Sequence, residues 1–411
     1  MGRMVNEDNN GQDFDEKSHD SIQRDYLRIS AVLSIISHSK LSLQLEEPIT
    51  PYEESLLKIL TGITVGGKTV LDTHSISITP GKLVGGNFSF KCSNLMPLSY
   101  YLEPLVYLVP LSSEHTSVKL ELPREGEGNE EFYKQFSTLE AFCSASTLIL
   151  RTIGCEDASF RYKEPYEVIF ECSPIRKIEP LDLSKEGKTK RIRGTVQVRA
   201  LQPSLGKSAI IGAKKILSAV CDNVWVALAS PPGKSEPSIT ISLIAEGTNS
   251  IHTADSTVYA KELEVKEKAN NSSKYLANSS LSKILEIAGR KEKAKEDTPA
   301  QDDSEYGDSS VPIHEKCERI GTICAERLCT EISFGGYFDT THQHIPLVFM
   351  SLSGDHRVSR LRISKLTRYT IMLLRQLKEY FRVTFKFDEL EDGLIAKCVG
   401  INYNNLNMKT F

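Results

Sequence analysis

Apolar positions recur along the chain at two spacings, and the switches between them divide it into blocks. From Tyr26 onward, Leu27, Ile29, Val32, Leu33 and Ile36 follow a 3.6-residue period and predict a helix. Pro51 ahead of Glu53 and Glu54 predicts a second helix, to about Ile63, because a first turn has no use for the amide that proline lacks and favours acids. Between Thr69 and Cys92, two β-rich runs flank Pro80-Gly81, which predicts an antiparallel pair turning there. The order recurs, with helices near Tyr100–Leu111 and Glu130–Ala145 and β-rich runs at Leu148–Ile153 and Glu167–Cys172. It returns at the end, with helices at Glu315–Ile332, Gln343–Ser351 and Tyr369–Phe381 and extended runs at Val358–Ile363, Arg382–Phe387 and Leu394–Val399. Three α/β units of similar order predict an α/β (α+β) fold with a pseudo-symmetric body.

A stretch of different rhythm separates the second and third units: a strand at Ile192–Ala200, a helix at Ser204–Val220, and strands at Val224–Leu228 and Ser238–Ala245. The reading is a small α/β subdomain inserted at 185–258, between a body at 26–184 and its continuation at 312–405. Residues 259–311 are charged and serine-rich, with helical apolar spacing only over Leu281–Ala288. That insertion and the acidic tail 1–25 lack the apolar content that repays ordering a chain, so they are expected to be largely disordered, and any role of 259–311 is partner binding. Residues 406–411 are read as a C-terminal tail.

The 411 residues are 40% hydrophobic and 25% charged, with a formal net charge of −4, a balance that excludes collagen, coiled coil and a porin-like barrel. No apolar run reaches the ~18–20 residues of a membrane helix, and the nearest, Leu102–Leu111, carries Glu103 and Pro104, so no membrane partner is expected. The first 25 residues hold seven acids against Arg3, Lys17 and Arg24, without the apolar core of a signal peptide, which argues against secretion. Nine cysteines without a CxxC pair read as reduced thiols in an intracellular compartment.

Candidate chemistry is sparse. Leu83-Val84-Gly85-Gly86-Asn87 lacks the flanking residues of a phosphate loop and reads as a bend beside a hairpin. His342 and His344 have no local third ligand and read as a helix start or surface pair. Cys317, Ile320, Cys324 and Leu328 share one helix face and read as core. No nucleophile elbow or carboxylate cluster is visible, so no catalytic residue, metal or cofactor is assigned.

Charge is uneven. Residues 185–215 hold nine Lys or Arg, including Lys188, Lys190, Arg191 and Arg193, against Glu186 alone, and residues 357–386 hold nine, including Arg360, Arg362, Lys365 and Arg368, against Glu379 alone. Such blocks are either solvated faces or surfaces for phosphate or protein, and the strand Ser359–Ile363 would put Arg360 and Arg362 on one face. Aromatic interleaving is weak, which favours backbone or protein contact over base reading.

The chain resembles the RNA 3′-terminal phosphate cyclase superfamily over most of residues 26–405, and within it the cyclase-like branch. Leu27-Arg28-Ile29-Ser30-Ala31-Val32-Leu33-Ser34 is similar to the family's first helix, and Pro80-Gly81-Lys82-Leu83-Val84-Gly85-Gly86 to its Pro-Gly-x-x-x-Gly-Gly turn. Tyr101–Leu108, Gly212–Leu217 and Ser359–Ile363 resemble the cyclase-like branch in particular. The resemblance implies three repeated α/β units with a small inserted α/β domain. In true cyclases a histidine near the C-terminus carries AMP, but here its place falls near Tyr369–Ile371 and no histidine follows His356. The family's glycine-rich motifs are likewise replaced, by Ile22-Gln23-Arg24-Asp25-Tyr26 and by Lys163-Glu164-Pro165-Tyr166. The branch implies a nucleolar, non-catalytic factor that docks a ribosome-assembly GTPase. It would act with pre-rRNA and the small nucleolar ribonucleoprotein of the small-subunit processome, for early cleavages toward 18S rRNA. Arg360 and Arg362 would then be a docking or RNA-phosphate surface. A pre-rRNA endoribonuclease is the alternative reading and an ATP-dependent RNA 3′-phosphate cyclase a distant one.

Overall fold

The computed structural model describes residues 24, 26–123, 129–163, 165–185, 187–230, 236–264, 312–390 and 393–408. In chain order these form α1 (Leu27–Ser37), β1 (Leu41–Gln44), α2 (Pro51–Gly62), β2 (Thr64–Val65), β3 (Lys68–Asp72), β4 (Ser75–Thr79), β5 (Lys82–Leu83) and β6 (Gly86–Lys91). There follow α3 (Leu98–Leu108), β7 (Thr116–Glu121), α4 (Glu130–Gln135), α5 (Leu139–Thr152), β8 (Ser159–Lys163), β9 (Glu167–Cys172) and β10 (Asp182–Leu183). Then come β11 (Thr189–Arg199), α6 (Pro203–Val220), β12 (Val224–Ala229), β13 (Ser238–Gly247), β14 (Ile251–Tyr259) and α7 (Ala260–Glu264). The chain closes with α8 (Ile313–Ser333), α9 (His344–Leu352), β15 (Val358–Ile363), α10 (Arg368–Phe381), β16 (Lys386–Leu390) and β17 (Gly393–Val399).

The fold is α/β and its body is repetitive. The second unit has strand order β6-β7-β9-β8 and the third β10-β15-β17-β16, each a parallel pair extended by antiparallel strands. In each, one helix precedes the second strand and another follows it: α3 and α5 around β7, α9 and α10 around β15. The first unit repeats this with α1 and α2 around β1 and the sheet order β1-β4-β3. The strand between the two helices was not legible in the first two units; only β15 was predicted. Period-2 burial on β7 and β9 turns Val118, Leu120, Val168 and Phe170 toward the helices, and α1, α3 and α9 are buried along most of their length. α2 begins in a capping box, where Thr50 accepts from Glu53 N and Glu53 accepts from Thr50 N.

Three expectations fail for identifiable reasons. The hairpin does not turn at Pro80-Gly81. It turns at Thr73-His74, where Asp72 accepts from Thr73 N at 2.8 Å, and β4 pairs with β3 and β1 while β6 joins the next sheet. Gly81 instead lets two backbones cross: a Cβ there would lie 2.6 Å from Gly67 N. The run Leu148–Ile153 is not a strand. A break at residues 136–138 divides the predicted helix, Thr138 caps the second part, and α5 runs on to Thr152 because Ile149 and Leu150 are fully buried on its inner face. The segment Arg382–Phe387 is largely not extended: Arg382 closes α10 in a left-handed conformation and β16 starts only at Lys386.

The inserted sheet has order β12-β11-β13-β14, with β14 missed by the sequence reading. It owns a second core with α6, and α8 packs in that core rather than with the third repeat that its position in the chain suggests. Small residues explain this. A Cβ on Gly212 would overlap the Glu318 carbonyl, and one on Gly321 the Ala209 carbonyl, so α6 and α8 approach as closely as backbones allow. Cys317, Cys324 and Leu328 on that helix are fully buried, as their spacing predicts. All nine cysteines are free thiols, eight of them buried. Among the described residues no helix is long and apolar enough to cross a membrane. Residues 1–23 and 265–311, which include most of the predicted tail and insertion, lie outside the described residues.

The glycine contact sets a prediction. Gly321→Ala should cost a net ~1–3 kcal/mol by overpacking, although alanine is the better helix former by ~1 kcal/mol. Urea unfolding would read this, and unchanged stability would mean that the helices are not in backbone contact there.

Candidate functional site

The helices of the body meet at a buried polar centre. Arg28 of α1 donates to Glu103 of α3 at 2.6 Å, and Tyr369 of α10 donates to the other carboxylate oxygen at 3.1 Å. His344, the first residue of α9, brings Nε2 to 3.3 Å from that same oxygen. The Arg28 guanidinium lies over the rings of both Tyr100 and Phe136, at 4.6 and 4.9 Å from their centroids, where the two rings meet edge to face, and Tyr26 stacks on Tyr369 at 5.6 Å. Glu103 is brought here by sitting one turn past Tyr100 and one before Tyr107 on a helix buried on all sides.

Burial by itself would push the Glu103 carboxyl up, but Arg28, with His344 close by and the bond from Tyr369, holds it at about 2. Burial likewise works against the Arg28 cation, and Glu103 reverses it, so the guanidinium is held more firmly protonated than usual. Burial drives the Tyr369 phenol well above its ordinary range. A carboxylate locked in an ion pair is a poor base, and a phenol that keeps its proton is no nucleophile. Within this centre, then, Glu103, Arg28 and Tyr369 act to hold the helices of the body together.

A second buried network joins body and insertion. Asp339 accepts from Thr253 N and Oγ1 on β14 at 3.0 and 3.1 Å, and lies 2.9 Å from His342 Nδ1. Thr138 N donates to Asp255 at 2.7 Å, and His252 Nε2 lies 2.9 Å from the Gly336 carbonyl oxygen. Burial raises the Asp255 carboxyl to about 6. Burial opposes the His342 cation, but Asp339 outweighs it and raises this imidazole. His342 and His344 are therefore not a surface pair: both are buried, the first at the junction and the second beside Glu103. Alternating buried strands do not reveal such partners, because each lies in a distant part of the chain. Beside this junction a shallow cleft opens between Pro97, Tyr133 and Phe136 of the body and Arg199, Thr257 and Tyr259 of the insertion. No carboxylate or histidine is among its described lining residues.

The two basic blocks have different fates. In the first, Arg193 donates to Glu246 at 2.6 Å, Glu140 at 3.3 Å and Ser144 at 2.8 Å, and Arg191 also pairs with Glu246. Those arginines clamp β11 to its own sheet and to α5, whereas Lys188 and Lys190 stay exposed. In the second, β15 buries Ser359, Leu361 and Ile363 and puts Arg360 and Arg362, both half-buried, on its other face. Arg360 stands in register with Lys397 on β17, and Lys397 with Lys386 on β16. Among the described residues, Asp182 lies beside Arg360, and Asp388 pairs with Lys397. Lys365 and Arg368 are exposed on the turn into α10, next to this sheet. Lys397 was missed, although the period of two over 393–399 carries it. The outer face of the second repeat's sheet differs, since Arg161 pairs with Glu171 at 2.8 Å and Lys119 with Glu121 and Glu167 at 2.5 and 3.2 Å.

Comparison with known proteins fits this geometry. The family model described as RNA 3′-terminal phosphate cyclase matches residues 24–387. The RNA 3′-terminal phosphate cyclase-like proteins of Mus musculus and Homo sapiens are 28% and 27% identical, over 87% and 93% of this chain and 87% and 95% of their own. The rRNA processing protein rcl1 of Schizosaccharomyces pombe is 23% identical over 88% of each chain.

Both networks make predictions. Glu103→Ala leaves Arg28 buried without its carboxylate and should cost roughly 3–5 kcal/mol at neutral pH. Because folded Glu103 titrates near 2 instead of 4.5, its contribution is present above 4.5 and fades as pH falls toward 2. The stability gap between wild type and Glu103→Gln, measured by denaturant titration, should narrow over that window. Asp255 has the opposite sign. With a folded value near 6 against an ordinary 3.8, its contribution is complete below 3.8 and lost as pH rises through 6. Relative to wild type, Asp255→Asn should gain about 2–3 kcal/mol between pH 4 and 7, and a flat difference would contradict a buried, strained carboxyl.

Proposed function

This chain belongs to the RNA 3′-terminal phosphate cyclase family, and we propose that within it the protein is a non-catalytic ribosome-biogenesis factor that acts in rRNA processing. The single observation that carries the non-catalytic reading is the closed centre, in which Glu103 engages Arg28, His344 and Tyr369 where the family's enzymes place their nucleophile. The likeness to the rRNA processing protein of Schizosaccharomyces pombe supports the rRNA-processing part. The finer reading is a nucleolar protein of the small-subunit processome, needed for early pre-rRNA cleavages toward 18S rRNA. It docks a ribosome-assembly GTPase and contacts pre-rRNA or its small nucleolar ribonucleoprotein through the outer face of the third repeat, with Arg360, Arg362, Lys365 and Arg368 as the contact residues. A face with surplus cations on a rigid sheet suits acidic protein or phosphate oxygens, with arginine able to bind either in a bidentate manner.

The test is recovery from the protein's own cells with a tagged chain, comparing wild type with Arg360→Glu/Arg362→Glu. Loss of a GTPase and pre-rRNA by at least tenfold, with an unchanged thermal midpoint, is the expected result. Full recovery with the double variant would remove the site assignment. Cleavage of pre-rRNA by the purified chain, abolished by a point change that spares RNA binding, would replace the non-catalytic reading with the endoribonuclease.

A further inference from the structure

We propose that the free edge of β12 takes up an extended, acidic segment of a partner protein as a fifth strand of the inserted sheet. Among the described residues, β12 and β14 are the two edges of that sheet. β14 is guarded by α4, α5, α7 and α8, which pack against it. β12 packs on β11 and α6, and its six residues, Val-Trp-Val-Ala-Leu-Ala, contain no charge or proline. Soluble proteins normally blunt an edge with such residues, because an open row of backbone donors and acceptors recruits other strands. An apolar edge left open is a surface for strand addition.

The surroundings specify the partner's chemistry. α6 lies over β11 and β12, while α8 lies over β13 and β14 and touches α6 through Gly212 and Gly321. Helical spacing then places Lys207, Ile211, Lys214 and Ser218 on the opposite flank of α6, above the β12 edge. Ile211 is 60% exposed, and neither Lys207 nor Lys214 forms an ion pair with a described residue. On the other side of the sheet, Trp225 is 64% exposed beside Arg193, its register partner on β11. An added strand would alternate its side chains between these two sides. Carboxylates toward Lys207 and Lys214, with apolar groups toward Trp225, complement both. The single aromatic residue on an edge with unpaired backbone groups favours a peptide over a nucleic acid strand, which uses successive stacking platforms. This surface lies on a different sheet from Arg360 and Arg362, so the two stand or fall separately.

Trp225 is the chain's one tryptophan, and its emission therefore reports this edge alone. The full chain would be titrated with a nine-residue peptide alternating glutamate and valine, with the lysine–valine counterpart, and with a uridine oligonucleotide. Binding of the acidic peptide should shift Trp225 emission to the blue and reduce its acrylamide quenching several-fold. Lys207→Glu/Lys214→Glu should weaken that binding at least tenfold without changing the thermal midpoint. The proposal is overturned if no probe moves the emission, if the uridine strand or the lysine peptide moves it as well or better, or if the double variant binds normally. It is also overturned if Trp225 in the free full chain is already shielded from acrylamide, because the edge is then covered by the chain itself.

Discussion

A carboxylate removed from water must find a cation and donors, and Glu103 draws them from all three repeats. Arg28 comes from the first, Glu103 from the second, and His344 and Tyr369 from the third. The sheets of the body have no strand in common, so this centre and the apolar core around it are what fasten the repeats to one another. Removing one partner leaves the others charged or unbonded in an apolar interior, and that cost makes the arrangement cooperative.

The insertion is attached by different means. Glycines let α6 and α8 come into backbone contact, which ties the long α8 to the inserted sheet although the chain continues from it into the third repeat. Asp339, Asp255 and Thr138 then fix that sheet to the body through buried hydrogen bonds. Arg193, which the charge count alone offers as a binding residue, serves the same junction. Cation density along a sequence is thus no guide to a surface until the partners of each cation are known.

With the centre closed, what the molecule presents outward is a set of sheet faces and edges of differing chemistry. Among the described residues, the second repeat pairs Arg161 and Lys119 with its own acids, the third sets Arg360, Lys397 and Lys386 side by side, and the insertion ends its sheet on the apolar strand β12. The repeats thus share one plan inside and differ in the chemistry they turn outward.

The residue pattern by itself determined the α/β class, most helices, the buried face of Cys317, Cys324 and Leu328, and the placement of Arg360 and Arg362 on one face of their strand. These follow from local periods of 3.6 and 2, which a sequence displays directly. The lack of a histidine after His356 was equally legible. Tertiary structure alone decided where Pro80-Gly81 lies, that Leu148–Ile153 stays helical, that α8 belongs to the second core, and that His342 and His344 are buried. In each case the deciding contact joins residues far apart in the chain. Its energy comes from burial and from a partner's charge, neither of which leaves a period in the sequence.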